Sequence, residues 1–123
     1  MARILIVDDS PTQIFTLRKI VEKMGHTVTT ANSGEEGVQA ALKDRPDLIL
    51  MDVVMPGMGG FKATRQITHT QETASIPVIL VTTKNQQTDE VWGLRQGAKA
   101  YLTKPVVEAE LQAKITTLLG GKK

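Results

Sequence analysis

Three short stretches of the chain are apolar at every position: "ILIV" (4–7), "LILM" (48–51) and "VILV" (78–81). Their β-branched content and lack of alternation predict strands buried on both faces, as in a parallel sheet. A weaker run, "TVTTA" (27–31), suits a strand nearer an edge, and "AYLT" (100–103) gives a fifth. Between them the apolar period changes to that of helices. Ser10-Pro11-Thr12-Gln13 reads as a helix start, with Ser10 as N-cap, Pro11 at the first helical position and Gln13 closing a capping box. Ile14, Leu17, Ile20, Val21 and Met24 follow at helical spacing, and Gly25 can end that helix. Ser33-Gly34-Glu35-Glu36 predicts a second capped helix to about Lys43. Further helices are expected over about 60–69, 87–96 and 107–119.

Five strand–helix pairs predict a doubly wound α/β domain with right-handed crossovers. The flavodoxin-like order 2-1-3-4-5 is the expectation for the five-stranded parallel sheet, with the site at the carboxyl ends of strands 1 and 3. The residues at those ends are charged. Strand 1 runs into Asp8 and Asp9, strand 3 into Asp52, strand 4 into Thr82 and Thr83, and the fifth into Lys104-Pro105.

Composition narrows the class. The 123 residues suggest one domain, 1–123, with no room for an output domain after the fifth helix. The net charge of +2 is too small to imply nucleic acid. Without cysteine there is neither a disulfide framework nor a thiolate metal site. No run approaches the length of a membrane span, and "MARILIVDD" is no signal peptide. These features predict a cytoplasmic protein that binds neither membrane nor nucleic acid.

Adjacent carboxylates repel by about 4 kcal/mol at about 4 Å if the effective dielectric is about 20. Three carboxylates and one lysine leave about two net negative charges, and some of the aspartates should have raised pKa values. A divalent cation would relieve this. Oxygen-only ligation by few protein groups suits Mg²⁺. A shielded carboxylate could attack phosphorus to give an aspartyl phosphate. Lys104 would hold a phosphoryl oxygen as a point charge, and Thr82 could hydrogen-bond another.

The chain resembles the receiver domains of bacterial two-component response regulators. The resemblance runs from "ILIVDDS" through "DLILMDVVMPGMGG" and "IPVILVTT" to "GAKAYLTKPV". By position it implies Asp52 as phosphoacceptor and Asp9 as direct Mg²⁺ ligand, with Asp8 acting largely through water. It implies the Val54 backbone carbonyl as a further ligand and Thr82 with Tyr101 as the switch pair. Lys104 is the implied phosphate sensor, with a cis bond to Pro105. Trp92, Arg95, Tyr101 and Val106 or Val107 lie on the implied partner face. A histidine kinase of the chemotaxis type is the implied donor, a motility or regulator protein the output partner, and a monomer the resting form. "VTTKNQQTDEVWGLRQGAKAYLTKPV" and "MPGMGGFKATRQIT" are similar to the single-domain regulators of the chemosensory system for type IV pili and twitching motility. Flagellar regulators usually carry Asn at the position of Val54 and an acid at that of Lys84.

The same residues bear on other functions. A flagellar-chemotaxis or general phosphorelay and phosphate-sink receiver shares the architecture. A haloacid-dehalogenase-type phosphohydrolase needs a second aspartate where Val54 stands, and a cap. A flavodoxin needs a phosphate loop where the carboxylates lie. A pure scaffold would have lost Asp52, Asp9 or Lys104. The expectation is a phosphorylation-controlled switch, not an enzyme. Met51, Met55 and Met58 read as core and loop filling, and Trp92 as either packing or partner contact. His26 and His69 are expected to be solvated, and Gly57, Gly59 and Gly60 to give a mobile loop.

Overall fold

The computed structural model describes residues 1–120; residues 121–123, the end of the predicted domain, lie outside the described residues. Strands and helices alternate: β1 (Arg3–Val7), α1 (Pro11–Lys23), β2 (Thr27–Ala31), α2 (Gly34–Asp44), β3 (Leu48–Met51), α3 (Gly60–Thr68), β4 (Val78–Thr82), α4 (Gln87–Arg95), β5 (Ala100–Thr103) and α5 (Glu108–Leu118). The sheet has the order β2-β1-β3-β4-β5, with all four pairings parallel.

The unbroken apolar runs have a direct cause. Successive strand side chains face opposite sides of a sheet, and here both sides are covered. Ile4, Ile6, Leu48, Leu50, Ile79 and Val81 pack into one cluster with Leu17, Ile20 and Val21 of α1 and Leu111 and Ile115 of α5. Leu5, Val7, Ile49, Met51, Val78 and Leu80 pack into the other with Ala41, Ala63 and Ile67 of α2 and α3. Met51 and Met55 are core residues and Met58 packs against that cluster. At the edge, β2 is largely exposed. No helix among the described residues is long and apolar enough to cross a membrane.

Two local expectations are corrected. The Ser10 hydroxyl does accept from the Gln13 N–H at 3.3 Å, but Gln13 does not close the box. The Ser10 N–H donates to Asp8 Oδ1 at 2.9 Å instead, the turn contact that an Asp side chain makes with the backbone two residues on. His26 is not simply solvated. Its Nδ1 accepts the Ala2 N–H at 3.0 Å, and Ala2 in turn accepts from the Thr27 N–H at 2.9 Å. His26 thus ties the entry of β1 to that of β2. His69 is exposed, with Nδ1 2.9 Å from the Arg65 carbonyl oxygen.

Partial burial, then the N-terminal amine, lower the His26 pKa below its usual 6.5, with Asp47 opposing. The folded state therefore binds fewer protons at this site than the unfolded chain. Stability should be flat above about pH 6.5 and fall as pH drops through that value toward the lowered folded pKa. Thermal melts of wild type and His26→Gln across this window should diverge only on the acid side, the variant showing the weaker pH dependence.

Candidate functional site

Register places the acidic groups. Val7 pairs with Met51, so β1 and β3 end side by side. The Asp52 N–H donates to the Val7 carbonyl at 2.9 Å, and the Asp8 N–H to the Ala31 carbonyl at 3.1 Å. The backbone thus fixes the two carboxylates next to each other. Asp8 and Asp52 are 1% and 8% exposed, whereas Asp9 is exposed. One carboxylate oxygen from each of Asp8, Asp9 and Asp52 lies within 4.8 Å of the others.

Lys104 enters from the end of β5. Its Nζ lies 2.7 Å from Asp8 Oδ2 and 3.8 Å from Asp52 Oδ2, with the side chain 8% exposed. The backbone holds it there, since its N–H donates to the Thr82 carbonyl at 2.8 Å. The bond to Pro105 is cis. Burial pushes the Asp52 pKa above its ordinary value. The charge of Lys104, the Val53 N–H and the Thr82 hydroxyl oppose that rise, and Asp8 adds to it. The two Asp52 oxygens are distinguished: Oδ1 accepts the Val53 N–H at 2.8 Å, while Oδ2 faces Lys104.

Thr82 closes β4 fully buried, and its hydroxyl accepts the Lys84 N–H at 3.3 Å. The Tyr101 hydroxyl donates to the Lys84 carbonyl at 2.8 Å. Burial, then Asp89, Glu90 and Asp52, push the phenol up to about 12, so it remains a donor at neutral pH. Lys84 Nζ is 3.8 Å from Asp89 Oδ1. Val54 is exposed beside the cluster. On the expected partner face Trp92, Arg95 and Val107 are exposed, Tyr101 is half-buried, and Val106 packs against the core. Trp92 is exposed and belongs to neither core cluster.

The backbone of the glycine loop is hydrogen-bonded at two points. The Gly60 N–H donates to the Val53 carbonyl at 2.9 Å, and the Met58 N–H to Glu35 Oε2 at 3.2 Å. Gly60 is required by close approach, since a Cβ there would sit 1.9 Å from the Asp52 carbonyl oxygen. Sequence reasoning missed this Glu35 contact and the Val53 N–H. The pairing of Glu35 with a loop 23 residues away leaves no local pattern.

The donor set fits a hard divalent cation: three carboxylates in reach of one centre, all oxygen, two of them buried. Lys104 alone leaves the excess charge only partly balanced.

Comparison with known proteins agrees with this geometry. The family model "Response regulator receiver domain" matches residues 4–116. Protein PilH of Pseudomonas aeruginosa is 58% identical over 121 residues, covering 98% of this chain and 100% of PilH. The chain spans only part of the length of other curated relatives. A signal receiver domain of a histidine kinase from Syntrophus aciditrophicus superposes with a TM-score of 0.91 at 38% identity, covering 100% of this chain and 93% of that one. The receiver domain of sensor histidine kinase PA1611 from Pseudomonas aeruginosa PAO1 gives 0.89 at 33% identity, covering 97% and 98%. That structure has a magnesium ion coordinated in its active site cleft. With its flavodoxin-like sheet, its acidic edge and a family match over nearly its whole length, the chain belongs to the response regulator receiver domains of two-component signalling, switches rather than enzymes.

Proposed function

We propose that the chain is a single-domain switch that takes a phosphoryl group from a histidine kinase on Asp52 and signals by protein contact in type IV pilus motility. The convergence of Asp8, Asp9, Asp52 and Lys104 at one sheet edge carries the reading. The pilus assignment rests on the 58% identity to PilH. Asp9, Asp52, the Val54 carbonyl and, through water, Asp8 are the residues to hold Mg²⁺. When bound, the ion supplies positive charge that lets a phosphoryl group approach the carboxylates.

The chain's own groups do the rest. An Asp52 oxygen attacks phosphorus; the P–N bond to the kinase histidine breaks, and the imidazole nitrogen keeps the electron pair. Lys104 then exchanges part of its contact with Asp8 for a phosphoryl oxygen. Thr82 turns its hydroxyl to a second oxygen and releases the Lys84 N–H. That loosens the segment Tyr101 grips, so the change reaches α4 and its exposed Trp92 and Arg95. The partners are thus a chemotaxis-type kinase and a motility or regulator protein meeting that face. The acting unit is a cytoplasmic monomer.

Phosphotransfer from candidate kinases, timed with this chain as acceptor, tests the reading. A pilus chemosensory kinase should transfer fastest, and a preference for a flagellar kinase would move the chain to that system. The same experiment gives the lifetime of the phosphoryl group. Val54 offers no hydrogen bond to an attacking water, and its branched bulk flanks the approach. Lys84 cannot accept a proton, and its ammonium lies toward Asp89. Val54→Asn with Lys84→Glu should therefore decay several-fold faster than wild type. An equal or slower rate would mean that these positions do not gate the water. Slow loss argues against a phosphate sink.

A further inference from the structure

We propose that Glu35, on the first turn of α2, is a positioning residue that straps the loop after Asp52 in the form able to ligate Mg²⁺. This rests on the reading of the acidic edge as a metal site. The two adjacent glutamates of α2 have different work. Glu36 serves its own helix: it accepts the Asn32 N–H and donates its N–H to the Ser33 hydroxyl. Glu35 takes no part in that cap. Its Oε2 accepts the Met58 N–H at 3.2 Å.

The contact is built on both sides. Gly57 has φ +73°, a left-handed conformation that glycine adopts without strain, and a Cβ there would lie 3.1 Å from Glu35 Oε2. Gly34 is buried, and a Cβ on it would lie 2.3 Å from the Met58 carbonyl oxygen. The start of α2 is therefore seated directly on the loop backbone. Met58 anchors the same spot by packing against the core. At its far end the loop is closed by the Gly60 N–H on the Val53 carbonyl. Val54, the proposed carbonyl ligand, lies between Asp52 and this strap. Freeing Met58 lets that segment sample arrangements in which the carbonyl does not reach the ion, and affinity falls by the fraction of competent molecules.

The test compares wild type, Glu35→Ala and Glu35→Gln. Exposed Glu35 can be replaced without opening the core, and Gln keeps an acceptor oxygen while removing the charge. The first readout is hydrogen exchange at the Met58 amide in metal-free protein; the second is Mg²⁺ affinity from amide NMR titration. Glu35→Ala should speed Met58 exchange and weaken Mg²⁺ by about two- to tenfold, the worth of one hydrogen bond. Glu35→Gln should recover both. Wild-type values in Glu35→Ala would overturn the strap. So would a Glu35→Gln as impaired as the alanine variant, since charge and not the hydrogen bond would then be responsible. Absence of Mg²⁺ binding by wild type would instead overturn the metal site itself, leaving Met58 exchange to judge the contact.

Discussion

Asp9→Ala is expected to abolish the response to Mg²⁺ while leaving the fold intact. Asp9 is exposed and makes no hydrogen bond or ion pair among the described residues, so its loss opens no cavity. What disappears is the one carboxylate of the cluster that no protein cation balances; Asp8 and Asp52 both face Lys104. Mg²⁺ affinity should fall by at least about tenfold, equivalent to about 1.4 kcal/mol. Metal-free stability should rise slightly, because a like charge has been removed. Thermal melts with EDTA and with Mg²⁺ measure both. A variant that Mg²⁺ still stabilises as strongly as wild type would remove Asp9 from the ligand set.

Lys104→Ala is expected to separate phosphorylation from switching. Lys104 Nζ sits 2.7 Å from Asp8 Oδ2, with both side chains almost wholly buried. Deleting one partner of such a pair costs about 3 kcal/mol because the other charge is left uncompensated. The melt in EDTA should therefore drop. Mg²⁺ should restore more stability than it gives wild type, and bind several-fold tighter, because the competing cation is gone. Acetyl phosphate should still add a phosphoryl group, since the nucleophile remains. The change at α4, followed by Trp92 fluorescence, should not occur, because nothing draws β5 toward the phosphoryl group. Full switching in this variant would mean that the signal leaves the site by another route.

The elements were legible because each strand had its own signature. "LILM", "TVTTA" and "AYLT" are β3, β2 and β5 to the residue, since turn or cap residues bound each run. The strand ends in turn brought Asp8, Asp52, Thr82 and Lys104 to one edge, by topology alone. What stayed hidden depends on pairs far apart in sequence or on competition between acceptors. Asp8 outbids Gln13 for the Ser10 N–H, a choice no capping rule contains. His26 pairs with a backbone group 24 residues away. Glycines 57, 59 and 60 read as freedom; here Gly57 takes a left-handed φ of +73°, and Gly59 and Gly60 let the chain fold back onto the Val53 and Asp52 carbonyls, a fold-back that composition does not reveal.

Asp52 is proposed to accept the phosphoryl group with Mg²⁺ at its side. The most direct test is to incubate wild type and Asp52→Asn with acetyl phosphate, with Mg²⁺ or EDTA, and to locate the added group by intact-mass and peptide mass analysis. One phosphoryl group is expected on the peptide carrying Asp52, only with Mg²⁺, and none on the Asn variant, whose matching volume preserves the fold. A phosphoryl group on another residue, or undiminished labelling of Asp52→Asn or in EDTA, would contradict it.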